Sequence, residues 1–330
     1  MNVIVLDLEW NQGNEYREKQ KKEIPFEIIE IGAVKICENS EKGENNTFHE
    51  LVRPQVYHEM HNMTRKILHM DMKDLKNGLT FQEVMEKFLD WCHMDGNGQN
   101  TDCIFATWGP QDLTELQRNM RYYDMPLLGK GPLRFYDVQK LFSIAFEDKK
   151  SRRNLEYAVD FLKIEKDGEF HRALSDAYYT AKVFESIKDP VVLQKVSFDT
   201  FQLPGNKKEE IHVVFEDYEK YISRVFEDKG LLMADREVVS TKCYYCHCNL
   251  KKKMKWFTPN GKHYYSLSNC PVHGYMKGKI RVRKAGNDGV YAVKTLKFIT
   301  EEEAHAIRQK KEQAEEIKKA RHKKNTQKIK

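Results

Sequence analysis

No stretch of this 330-residue chain reaches the roughly 18 consecutive apolar residues that a membrane-spanning helix requires, so a helical membrane protein is not expected. The opening residues, Met1-Asn-Val-Ile-Val-Leu-Asp7, lack the basic n-region of a secretory signal and enter an apolar strand at once, which points to a cytoplasmic protein. An excess of one charge is also missing: 56 Lys and Arg face 50 Asp and Glu, for a net +6 and a pI near 8.7. That balance leans only slightly toward a polyanionic partner. Cysteine is sparse through residue 240, where Cys37, Cys92 and Cys103 stand singly in apolar contexts, as buried reduced thiols do.

What is present supports folded domains. The chain is 40% hydrophobic and 32% charged, enough for a core and long enough for more than one domain. Val3-Ile-Val-Leu-Asp-Leu8 reads as a buried strand, Ile28–Ile36 as its hairpin partner, and the charged residues 14–23 as the connection. Phe48–Val52 is a third strand, stopped at Arg53-Pro54. Thr80 and Glu83 form a capping-box signature ahead of Phe81, Val84, Phe88 and Leu89 at helical spacing. Strand then helix recurs at Cys103–Trp108 with Asp112–Tyr122 and at Phe135–Val138 with the helix near Gln139, and two further helices follow at Arg153–Leu162 and Ala173–Ile187. Residues 1–190 therefore predict one α/β domain with a mixed central sheet.

Beyond it, residues 191–239 are expected to form a helical linker, with Val214, Tyr218, Tyr221, Ile222 and Val225 on one amphipathic face over 211–228. Residues 240–300 are strand- and turn-rich, with a hairpin signal at Pro259-Asn-Gly-Lys262, and residues 301–330 form a basic helical or disordered tail.

Five residues carry the chemistry. Asp7 and Glu9 alternate along a strand and so share a face, where two adjacent carboxylates in an apolar segment repel unless a cation lies between them. Asp112 follows Gly109-Pro110 in the first turn of a helix, a place the helix dipole alone would favour for an acid. His171 and Asp176 are five apart and would diverge by about 140° on one helix, so they converge only if His171 precedes it, on the loop Lys166-Asp-Gly-Glu-Phe170.

In order and spacing, Val5-Leu-Asp7-Leu-Glu9, Thr107-Trp-Gly-Pro-Gln-Asp112 and His171-Arg-Ala-Leu-Ser-Asp176-Ala resemble the motifs of the DEDDh superfamily of 3′-5′ exonucleases. Ile28-Ile-Glu-Ile-Gly-Ala-Val34 is similar to that family's second strand. The resemblance covers residues 1–190 and implies an RNase H-like fold. It also implies that Asp7, Glu9, Asp112 and Asp176 hold two Mg2+ or Mn2+ ions and that His171 is the general base in release of nucleoside 5′-monophosphates from a 3′ end. Hard oxygen donors suit those ions, and histidine is the side chain that exchanges protons near neutrality. After Glu9 the chain reads Trp10-Asn-Gln-Gly where proofreading members have Thr-Thr-Gly. This start looks closer to the Eri1-like and KapD-like branch that trims structured RNA, so RNA is expected over DNA. The alternatives are a DNA proofreading or repair exonuclease, or an idle nuclease fold serving as a regulatory or binding protein.

The other four cysteines crowd into residues 243–270. Cys243-x2-Cys246 and Cys270-x2-His273, 23 residues apart, suit a structural tetrahedral Zn2+ site, with Cys248, His247 and His263 as spare donors. Basic and aromatic residues interleave around them. Lys253, Trp256, Tyr264 and Tyr265, together with Trp10 and Trp108 beside the acids, are the candidate nucleic-acid contacts, although the same rings could instead form the small core a zinc module requires. No membrane partner is expected, and the oligomeric state stays open.

Overall fold

The structure, a computed structural model, describes residues 2–13, 21–37, 46–93, 102–168, 170–286 and 289–328, with the side chains of 320–328 left out of account. The connection expected at 14–23 lies largely outside the described residues, as does Glu169. The chain divides into two compact units, Met1–Gln202 and Leu203–Lys330.

The first unit is built on a six-stranded mixed sheet. β1 (Asn2–Gln12) pairs antiparallel with β2 (Phe26–Ile36), and β2 with β3 (Thr47–Leu51). On its other edge β1 runs parallel to β4 (Cys103–Thr107), then come β5 (Leu133–Asp137) and the short antiparallel β6 (Ser197–Asp199). The resulting order β3-β2-β1-β4-β5-β6 is the RNase H-like mixed sheet the sequence predicts, extended by β6.

Strand alternation decides which helix meets which side chain. Ile4, Leu6 and Leu8 pack with Phe81, Val84, Leu113 and Leu116 of α3 (Phe81–His93) and α4 (Gln111–Tyr122). Val3 and Val5 face the other way, against Val138, Phe142, Ala158, Tyr179 and Val183 of α5 (Val138–Phe146), α6 (Leu155–Phe161) and α7 (Ala173–Ser186). By the same alternation Asp7 and Glu9 belong to the α7 side. Short helices α1 (Asn62–Leu68), α2 (Met72–Leu75) and α8 (Pro190–Leu193) complete the layers.

The second unit is a six-stranded antiparallel sheet of β7 (Ile211–Val214), β8 (Glu219–Ile222), β9 (Lys251–Phe257), β10 (His263–Cys270), β11 (Gly274–Lys284) and β12 (Val290–Phe298), ordered β7-β8-β12-β11-β10-β9. α9 (Lys229–Ala234) places Leu232 against Tyr221, Ile280 and Ala292 on one face. On the other face, Ala304 and Ile307 of α10 (Glu301–Lys328) cover Met254 and Leu267. No helix among the described residues is long and apolar enough to cross a membrane.

The helical linker expected over 191–239 is corrected by β6, β7 and β8. The segment 211–222 is a hairpin in which Val213 pairs with Lys220 and His212 with Tyr221. Val214 and Val225, placed on the apolar face of the expected helix, are instead exposed. The β-branched and aromatic content of this stretch favours strands, and a short apolar run matches both periods.

Candidate active site

Three acids converge where β1 passes beneath the start of α7. One carboxylate oxygen from each of Asp7, Glu9 and Asp176 lies within 4.8 Å of the other two. Asp7 and Glu9 come from one strand face, and a register shift between β1 and β2 follows immediately after Glu9. Asp176 comes from the first turn of α7, which can approach only because the residue opposite Asp7 on β2 is Gly32. A β-carbon at Gly32 would fall 2.1 Å from main-chain atoms of Ala173 and Leu174.

Asp112, in the first turn of α4, is buried beside this group without joining the three-oxygen cluster; the Leu8 amide donates to its carboxylate. His171 precedes α7, as convergence requires, and takes a left-handed backbone with φ of 64°. Its main-chain N–H donates to Asp176 Oδ2 at 3.2 Å, and its side of the loop is exposed. The five residues singled out in the sequence are thus neighbours.

Burial and mutual repulsion hold these acids far from their ordinary values. Asp7 is raised well above the usual carboxylate range, first by burial and then by Asp112, Glu9 and Asp176. Burial likewise pushes Glu9 up to about 8, Asp112 to about 7 and Asp176 to about 6. Asp176 Oδ1 is buried with no hydrogen-bond partner among the described residues. Carboxylate oxygens gathered this closely on half-buried residues, one of them without a partner, are the donor set of a hard divalent cation, so the residues fit Mg2+ or Mn2+.

Sequence reasoning missed three residues, Glu30 within the Ile28–Val34 strand and its partners His49 and Arg172. Glu30, paired with Glu9 across β1 and β2, has a fully buried carboxylate. It accepts from Arg172 Nε at 3.2 Å and Nη2 at 3.1 Å, and from His49 Nε2 at 2.7 Å. Burial alone would raise its pKa, but the hydrogen bonds from His49 and Arg172 hold it below the ordinary value. Arg172 follows His171 directly and is the cation that lowers Glu9 against its acidic neighbours. An open cleft of about 510 Å³ borders this trio, lined also by Gly168, Ser175 and Tyr178. The available signal was a charged residue inside an apolar strand, the same one that marked Asp7.

A family model described as exonuclease, of the RNase T type, matches residues 4–184, more than half of the chain and all five site residues. The chain belongs to the exonuclease family. Among solved structures, the nuclease domain of 3′hExo, a DEDDh family member bound to rAMP, is 19% identical with a TM-score of 0.46, over 56% of this chain and 89% of that one. A structure of 3′-exonuclease recognising the 3′ end of the histone mRNA stem-loop is 18% identical with a TM-score of 0.46, over 56% and 62%. Cell-death related nuclease 4 (CRN-4) is 14% identical with a TM-score of 0.46, over 74% and 72%. No curated protein sequence matches.

In this exonuclease the residues after Glu9 turn inward. Trp10 packs on Phe26 with ring centroids 5.5 Å apart, and Trp108 on Phe142 at 6.2 Å, so both candidate contacts are half-buried packing residues. Asn11 is fully buried and ties down the 59–61 segment, donating to the Glu59 carbonyl and accepting from the His61 amide, each at 2.9 Å.

In the second unit, the donor atoms of Cys243, Cys246, Cys270 and His273 lie within 4.8 Å of one another. Main-chain amides favour thiolate here. The Cys248 amide helps lower Cys246 to about 7, and although burial opposes it, the His273 and Val272 amides hold Cys270 below its ordinary value. Three sulfurs and an imidazole in this compass fit Zn2+. Cys248 Sγ is 3.1 Å from Cys246 Sγ, whereas His263 begins the strand that Cys270 ends, roughly 23 Å away by strand geometry, and is no alternative donor.

The remaining candidate contacts separate. Trp256 and Tyr264 pack with Tyr221, Leu232 and Ile280, and Trp256 Nε1 donates to the Val239 carbonyl at 3.0 Å. Tyr265 is on the opposite face, and Lys253 is exposed on β9. Alternation along β10 makes one of two adjacent tyrosines a core residue.

Proposed function

We propose that this exonuclease is a two-metal-ion enzyme that removes nucleoside 5′-monophosphates from the 3′ end of RNA. The observation that carries this reading is the meeting of the Asp7, Glu9 and Asp176 oxygens within 4.8 Å, with one Asp176 oxygen buried and unpartnered. Asp7, Glu9, Asp112 and Asp176 would hold the divalent ions, which, when bound, supply charge stabilisation and activation of the attacking water. His171 is the general base, and its main-chain bond to Asp176 keeps it beside a ligand-bearing turn. Arg172, anchored on Glu30, fixes the other side of the His171 loop and offsets the carboxylates. The preference for RNA rests on the Asp-x-Glu-Trp start. Zn2+ at Cys243, Cys246, Cys270 and His273 would close the end of the second sheet.

The test is digestion of 5′-labelled RNA and DNA single strands in Mg2+ by the wild type and by Asp7→Ala. RNA shortening from the 3′ end, absent in the variant and in EDTA, is expected. Failure to cut either polymer would overturn the enzyme reading, and faster loss of DNA would overturn the substrate.

A further inference from the structure

The face of the second sheet that carries α10 gathers a row of basic side chains. In register across β10 and β11, His263 pairs with Arg281, Tyr265 with Lys279 and Leu267 with Lys277. Leu267 lies under Ala304 and Ile307 of α10, so these side chains share the helix's side of the sheet. α10 adds Lys310, whose ammonium lies 4.3 Å from the Tyr265 ring centroid, with that of Lys277 at 6.0 Å.

None of Lys277, Lys279, Arg281 and Lys310 has an ion-pair partner among the described residues, whereas Arg308 and Lys311 of the same helix pair with Glu301 and Glu315. The cations feel one another. Lys279 is held below its ordinary pKa by partial burial and by Arg281, Lys277 and Lys310, and His263 by burial, Lys279, Arg281 and Lys310. Like charges gathered this closely destabilise the isolated fold and are relieved by a polyanion. Their spacing is informative as well. Lys277, Lys279 and Arg281 are alternate residues of one strand, roughly 6.6 Å apart. That is close to the stride of successive phosphates along an extended nucleic-acid strand.

We propose that Lys277, Lys279, Arg281 and Lys310 form a track for the phosphodiester backbone of an extended single strand, a binding surface made of residues other than the catalytic ones. The choice of nucleic acid as the polyanion rests on the exonuclease reading. The track reads charge and spacing rather than bases, because Lys310 already covers Tyr265. Affinity is therefore sequence-independent and strongly dependent on salt.

Full-length protein carrying Lys277→Gln, Lys279→Gln, Arg281→Gln and Lys310→Gln would be titrated by fluorescence polarisation against labelled oligo(U) in EDTA, which separates binding from cleavage. The slope of log affinity against log salt should fall by roughly 0.7 for each contact removed. Turnover of the small diester p-nitrophenyl thymidine 5′-monophosphate should not change. Substituting the exposed Lys207 and Lys208 of the same unit by Gln should leave the slope intact. An unchanged slope in a natively folded quadruple variant overturns the track, as does an equal drop in the Lys207 and Lys208 control. Loss of binding to anionic phospholipid vesicles with oligo(U) affinity intact also overturns it. If the wild type cleaves neither RNA nor the small diester while the slope still drops, the track stands and the exonuclease reading falls.

Discussion

Gly32 of β2 lies directly beneath Ala173 of α7, so close that a β-carbon at position 32 would come within 2.1 Å of the Ala173 carbonyl carbon. This contact lets the first turn of α7 deliver Asp176 to Asp7, the residue paired with Gly32. Gly32→Ala should therefore lift the helix start, costing roughly 2–3 kcal/mol by overpacking. Turnover should fall further than stability explains. Melting temperature and turnover are the measurements, and wild-type values for both would refute the contact's role.

Protonation of the acid cluster has a defined sign. With Glu9 at about 8, Asp112 at about 7 and Asp176 at about 6, the folded chain holds protons that the unfolded chain, with carboxylates near about 4, releases. The stability these groups contribute is complete below about pH 4 and is lost as pH rises through about 8. In EDTA the melting temperature should fall between pH 5.5 and 8.5. Mn2+ should restore it more at pH 8.5 than at 5.5 and release protons on binding, measurable by calorimetry in two buffers. A flat profile in EDTA would contradict the shifts.

Removing the base and removing a ligand should differ. His171→Ala should lower kcat about a hundredfold or more while leaving Mn2+ binding in place. Asp176→Asn should weaken Mn2+ binding, and it should also raise the melting temperature in EDTA, since a negative charge repelled by its acidic neighbours, with one buried unpartnered oxygen, is gone. Equal metal affinity in the two variants would reverse these roles.

Arg172→Ala leaves the buried Glu30 carboxylate with His49 as its remaining side-chain partner. Because Arg172 is itself more than a third exposed, solvent screens part of the loss, and a cost of about 1–3 kcal/mol is expected. Adding Glu30→Gln should recover much of it. A double-mutant cycle by urea unfolding measures the coupling, and strict additivity would show that the pair is independent.

Cys243→Ser should abolish one equivalent of bound zinc and lower the melting temperature, because Cys243 is buried within the core formed by Tyr244, Leu250 and Met276. Cys248→Ser should retain zinc. Metal content by mass spectrometry distinguishes them, and loss of zinc from both would put Cys248 in the ligand set.

Much of the site could be read along the chain. Asp7 and Glu9 share a face because strand period is two, and His171 had to precede its helix because five residues on a helix diverge. Glu30 escaped because an acid in a strand declares burial but not its partners, and those, Arg172 and His49, are 142 and 19 residues away. The 211–222 hairpin was misread because five apolar residues in a short segment satisfy helical and strand spacing alike, and only pairing of β8 with β12 chose between them.

Local periodicity and residue chemistry settled the order of the main strands and helices over residues 1–190, the four acids and histidine of the motifs and the two cysteine-containing pairs, because these depend on neighbours within a few positions. Folding settled what depends on the path of the chain: that α7 crosses the sheet at Gly32 and brings Asp176 to Asp7, that Arg172 neutralises Glu30, and that Tyr264 is enclosed while Tyr265 joins a cationic face. Period assigns residues to two faces, but which face a helix covers is decided by contacts between segments far apart in sequence.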